Sequence, residues 1–268
     1  MVITIDKDKV RRSGMLIAAD SIPDVMNISL KGKRAVYKSE LMMLEMLSHG
    51  DWLRPMYVAT TVGKSNYGHL GDNFILEGLA NRISPFNTNQ SGITLDTERM
   101  YRNVMEKFVF GGLAENPDIY LDETVMRMCY THRRLFAELA TALLDEEKTD
   151  KALKVLQRAE QVIPPSVVPH HYQSGSLDLA EAWLKVGNTA KATELLDAIV
   201  KNSDQWVNWI MGLDDNKIHG YNRELTLNLV LISQAAKIIS GHDQQRHEKW
   251  LNLTEKYANQ GYERGMNL

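Results

Sequence analysis

The run Val62-Gly63-Lys64-Ser65 comes nearest in this chain to a motif that carries chemistry, the end of a phosphate-binding loop. That loop needs a glycine five positions before Gly63 so that successive backbone N–H groups wrap a phosphate, and Val58 stands there instead. The histidines are scattered, and no two of them show the i, i+4 spacing with an intervening glutamate that builds a zinc site on a helix. His170 and His171 are adjacent in a proline-bounded connector, where neighbouring side chains diverge, and all the histidines read as surface or satisfied core residues. The single cysteine, Cys129, rules out a thiolate cage and an internal disulfide, and it reads as a small buried hydrophobe rather than a nucleophile. Glu77, Asp96, Glu98 and Asp122 are carboxylates of the kind that serve glycoside hydrolysis, but nothing in their spacing selects an acid/base pair. Trp206 and Trp209 stand three apart and form either an aromatic platform for a sugar or part of a core. Val207 and Ile210 make the whole segment apolar and favour the core. No catalytic residue, metal or cofactor is expected, and the chain does not read as an enzyme.

Two kinds of element carry these residues. Over residues 1–120 the pattern changes about every ten positions, which predicts an α+β domain. Val2–Ile5 and Val25–Leu30 read as short strands, and Asp6 as the cap of a short helix. Ser39–Ser48 reads as a helix ended by Gly50, Pro55–Val62 as a buried strand, Phe74–Ile83 as strand or mixed, and Thr97–Phe108 as helix again. Gly111-Gly112 and Asn116-Pro117 punctuate the pattern before Asp122 or Thr124 opens a long helix. Over residues 121–268 the β signals vanish, so the expected architecture is an α+β part followed by an all-α part, helical overall.

The helical part repeats. Phe136, Leu139 and Ala140, then Ala152, Leu156 and Ala159, then Pro164, form a first copy that departs at Leu143, where an aromatic is usual; 40 residues later Leu179, Ala180, Trp183, Ala192 and Leu196 form a second, with Ser176 at the large-residue position and Ile199 at the last alanine. The pattern resembles the tetratricopeptide repeat, in which small residues let paired helices approach closely. Hairpins are expected at about 131–164 and 174–203, with a capping pair at 222–259 whose first helix is apolar on almost every side. In tetratricopeptide-like hairpins the first helix lines the concave surface. That alignment puts Arg134 and Thr141 from the first copy there, with Glu181 and Lys185 from the second.

Composition narrows the partners. With a net charge of −3 and acids and bases balanced in both halves, the chain lacks a basic arm, so nucleic acid is not an expected partner. The most apolar uncharged stretch, Leu225–Ala236, is twelve residues, well short of the roughly 18–20 that cross a bilayer. The strings Lys38–Leu47, Asp51–Ala59, Leu76–Pro85 and Pro117–Asp122, in that order before the repeats, resemble the C-terminal soluble region of bacterial multi-spanning membrane proteins similar to protein O-mannosyltransferases. The resemblance implies an extracytoplasmic, periplasmic domain whose membrane-embedded parent would hold any catalytic machinery. It also implies a non-catalytic scaffold that presents a helical-repeat surface to a polypeptide or to its own membrane part. A free-standing repeat scaffold and an independent carbohydrate-active enzyme are the alternatives.

Overall fold

Several helix starts in this chain are written by short polar side chains. Asp6, Asp96, Asp122, Asn188, Asp214 and Asp243 each accept a hydrogen bond from the backbone N–H three residues on, at 2.8–3.1 Å. The computed structural model describes residues 1–17, 22–32 and 34–266. It divides into two units, Met1–Lys107 and Phe108–Leu268.

The first unit is α+β. Strands β1 (Val2–Thr4) and β2 (Val25–Asn27) pair antiparallel, Ile3 facing Met26, around helix α1 (Lys7–Arg12). Helix α2 (Lys38–His49) buries Glu40, Leu44 and Leu47 and ends at Gly50. Strands β3 (Tyr57–Ala59), β4 (Phe74–Leu76) and β5 (Ala80–Ile83) form an antiparallel sheet in the order β3-β5-β4. Helices α3 (Thr88–Ser91) and α4 (Thr97–Arg102) follow, and α4 runs on into a π-helical turn at Asn103–Lys107. One core joins Ile3, Val10, Met26, Leu44, Leu47, Trp52, Ile75 and Ile83. The strand expected to be buried at Pro55–Val62 is neither long nor buried. It shrinks to β3 at the sheet edge, where only β5 pairs with it and Tyr57 remains 44% exposed.

The second unit is helical throughout: α5 (Glu123–Asp145), α6 (Thr149–Val162), α7 (Ser176–Lys185), α8 (Thr189–Met211), α9 (Asp215–Ile218), α10 (Asn222–Ile239) and α11 (Gln244–Glu263). The pairs α5/α6, α7/α8 and α10/α11 are hairpins; α7 packs on α5, and α10 packs chiefly on α8. The 40-residue offset is realised in the packing. Phe136 and Ser176, Leu139 and Leu179, Ala140 and Ala180, Leu143 and Trp183, Ala152 and Ala192, Leu156 and Leu196, and Ala159 and Ile199 are all buried. The two hairpin turns repeat as well. Lys148 N donates to Leu143 O at 2.8 Å and Asn188 N to Trp183 O at 2.9 Å, each closing a turn over one left-handed residue, Glu147 (φ 59°) or Gly187 (φ 82°).

That left-handed position separates the copies energetically. An L side chain there costs about 1 kcal/mol through Cβ–carbonyl crowding, and glycine escapes the cost. Nothing lies within 4 Å of a Cβ added at Gly187, so the whole effect of a substitution is backbone strain. Gly187→Ala should lower stability by about 1 kcal/mol and Glu147→Gly should raise it by about 0.5 kcal/mol, both read from urea midpoints.

Candidate interaction groove

The connector between the first two hairpins is organised by a buried cation. Arg133 projects from α5 with 2% exposure and donates to three carbonyls: Nη1 to Pro169 O at 3.1 Å, and Nη2 to Ile163 O at 3.1 Å and Val168 O at 2.5 Å. Burial pulls its pKa down to about 10, with no carboxylate acting against it. Fixing those carbonyls sets the path of 163–175. His170 then turns inward, where Asn202 Nδ2 donates to its carbonyl at 2.6 Å and its Nδ1 meets Ser176 Oγ at 2.7 Å. His171 turns outward and stacks flat on Tyr130, centroids 4.7 Å apart and 7° between planes. Gly175 closes the path at φ +64°, where an added Cβ would meet Arg134 Cα at 3.0 Å. Ser176, at a position that is large in the repeat pattern, is small here because the inward His170 ring occupies that space.

Where α7 and α10 diverge, a groove of about 640 Å³ opens. His171, Tyr172, Asp178 and Glu181 line one side of it, and Val230, Gln234 and Lys237 the other. Val230 is 42% exposed on α10, beside the exposed Gln234 and Lys237. Burial holds the Asp178 carboxyl above its ordinary range. It also raises Glu138, with Arg134 opposing the shift and Asp178 adding to it. Burial lowers His171, so that ring adds no positive charge at neutral pH. The groove therefore combines apolar side chains with carboxylates that a cationic guest would stabilise.

The sequence-predicted surface residues separate. Glu181 lies in the groove. Arg134 is paired with Glu138 at 3.4 Å, Lys185 with Asp145 at 3.8 Å, and Thr141 is half-buried; none of the three lines the groove. Trp206 and Trp209, expected to close the core, are exposed at 43% and 48%. Helix α8 continues through them, and its buried stripe runs through Ser203, Val207 and Ile210, so the indoles fall on the flank of that stripe, half-exposed. There they meet edge to face at 5.6 Å, and Trp209 meets Tyr221 at 5.1 Å. Sequence reasoning passed over Arg133 and took His170 as a connector histidine and Ser176 as a repeat position. The one available signal was a charged residue standing next to the apolar stripe that begins at Leu135.

The remaining chemistry-bearing residues are occupied structurally. Glu77, 4% exposed, accepts from Tyr57 Oη at 2.6 Å and faces Arg82 and Arg99 at 3.7 and 3.4 Å, binding β5 and α4 into one charged cluster. Asp96 and Asp122 cap helices, and Glu98 is exposed on α4. Cys129 is buried in α5 with its thiol pushed upward by desolvation. Lys64 belongs to a short 3-10 turn, Lys64–Asn66, and not to a helix that could seat a phosphate. Among the described residues no group of three His, Cys, Asp or Glu side chains is arranged to hold a metal ion, and no helix is long and apolar enough to cross a membrane.

A protein-family model described as TMEM260-associated domain 2 matches residues 1–104, so the first unit is similar to that family. No curated protein and no solved structure matches the chain.

The inward histidine has a measurable consequence. Burial, aided by Arg133, lowers His170 to about 3, against about 6.5 in an unfolded chain. Between those values the unfolded state binds the extra proton, so this group's contribution to stability is complete above about pH 6.5 and is lost as pH falls toward 3. Replacing His170 with Phe should remove up to about 1.4 kcal/mol per pH unit from the slope of stability against pH across that window, measured as the difference between the two proteins.

Proposed function

We propose that this chain is a non-catalytic accessory domain of a TMEM260-like membrane protein, acting as a tetratricopeptide-like scaffold that holds a segment of polypeptide. The observation that carries the reading is the groove between α7 and α10. It is open along a helix pair and built from half-exposed apolar side chains with Asp178 and Glu181 against a single Lys237. The match over residues 1–104 supports an accessory role beside TMEM260-like proteins. Under this reading the domain sits on the extracytoplasmic, periplasmic face of the membrane, and the sugar-transferring chemistry of an O-mannosyltransferase-like parent lies outside these residues. The guest is an extended segment that alternates apolar and basic side chains, drawn from a protein substrate or from the membrane-embedded part itself.

Fluorescence anisotropy with short labelled peptides tests this directly. A Leu/Lys peptide should bind and a Leu/Glu peptide of equal length should not. Asp178→Asn with Glu181→Gln should weaken the Leu/Lys peptide about tenfold at low salt, with a smaller effect as salt screens the charges. Equal binding of both peptides, or no loss in the double variant, would remove the groove from the account.

A further inference from the structure

Helix α2 carries apolar side chains on two faces. Its inner stripe, Leu44 and Leu47, belongs to the core of the first unit. Lys38, Leu41, Met42, Glu45, Met46 and His49 follow the i, i+3, i+4 spacing that gathers them on the outward face, and all six are exposed. Three of them are large and apolar: Leu41 at 58%, Met42 at 56% and Met46 at 56%. The chain on either side extends this surface. Leu30, Val36 and Tyr37 are exposed ahead of the helix, Tyr37 at 74%, and Leu53 is exposed after it. Single exposed apolar side chains are ordinary, but a run of them along one helix and at both its ends marks an interaction surface.

Charge indicates what that surface meets. Between Leu30 and Ser39 the sequence holds Lys31, Lys33, Arg34 and Lys38 and no acid, and Arg54 follows Leu53 at the far end. Lys31, Arg34, Lys38 and Arg54 are exposed, and none of the four enters an ion pair among the described residues. On α1, by contrast, Lys7, Lys9 and Arg11 each pair with an aspartate. The acids near α2 are engaged within the fold. Glu40 is buried and accepts from the Tyr37 backbone N–H at 3.1 Å, Glu45 meets His49 at 3.4 Å, and Asp51 accepts from the Leu53 backbone N–H at 3.1 Å. Unpaired cations at both ends of an apolar helix face match the layering of an anionic bilayer surface. Phosphates meet the cations, the long Lys and Arg stems lie along apolar material, and Leu, Met and Tyr side chains enter the acyl boundary.

We infer that the outward face of α2 docks on an anionic lipid surface, the helix lying along the headgroup boundary. Tyr37, Leu41, Met42 and Met46 supply the apolar contact, and Lys31, Arg34, Lys38 and Arg54 meet lipid phosphates. This docking surface lies in the first unit and does not depend on what the α7/α10 groove holds.

Co-sedimentation of the full chain with lipid vesicles tests the inference. Phosphatidylcholine vesicles carrying about one-third phosphatidylglycerol should take up the protein, pure phosphatidylcholine should take up about tenfold less, and salt should weaken the uptake. Arg34→Gln with Lys38→Gln should lower uptake about thirtyfold, the effect of two cations near an anionic surface. Leu41→Ser with Met46→Ser should lower it about tenfold through lost apolar burial. All four side chains are exposed, so both variants should melt close to the parent. The comparison of the two vesicle types needs no variant and stands even if a variant fails to fold. Equal or absent uptake by the two vesicle types, or undiminished uptake in either double variant, would overturn the inference. Retention on immobilised polyglutamate without uptake by vesicles would overturn it too, and would give the face to an acidic protein.

Discussion

A guanidinium taken out of water must have its donors met, and Arg133 meets its need with the carbonyls of Ile163, Val168 and Pro169 instead of a carboxylate. Backbone oxygens of one short segment thus become the counter-charge of a helix side chain. The segment can take few other paths without leaving that charge unpaired. The inward turn of His170, the outward stacking of His171 on Tyr130 and the tight approach of Gly175 to α5 all follow from the same placement. Since His171, Tyr172 and Gly175 line the groove, a single buried cation sets one side of it.

The first unit uses charge differently. Glu77 and Asp96 face Arg82 and Arg99, so that cluster balances internally. Arg82 Nη2 also donates to Ser13 O at 2.9 Å, and Asn103 Nδ2 to Glu77 O at 2.7 Å, so the cluster fastens the β3-β5-β4 sheet to the chain after α1 and to the π-helical turn. Its residues lie within the stretch similar to the TMEM260-associated family. Their ion pairs and backbone hydrogen bonds describe a clamp.

Legibility in the sequence followed the range of the interactions. Helix starts were readable because a cap involves residues three apart, as at Asp6 and Asp122. The hairpins were readable because close helix packing demands small residues at fixed spacing, and the stripe residues paired at the 40-residue offset are buried. Misreadings arose where an element's neighbours decide its exposure. Pro55–Val62 has strand composition, but only sheet order reveals an edge; Trp206 and Trp209 share an apolar segment, but only the direction of α8 turns them outward. The Arg133–connector contact joins residues 30–36 apart through backbone atoms, which leave no trace in side-chain identity. Of the four residues expected on the concave surface, Glu181 lines the groove.

The central claim is that Arg133 holds the connector and thereby builds the groove. Hydrogen–deuterium exchange of Arg133→Met beside the unsubstituted protein, with Leu/Lys peptide affinity read on the same samples, addresses it most directly. The account predicts faster exchange concentrated in 163–175, retained protection in the α5/α6 and α7/α8 turns, and weakened peptide binding although Asp178 and Glu181 are untouched. Unchanged exchange across 163–175 together with unchanged affinity would contradict it.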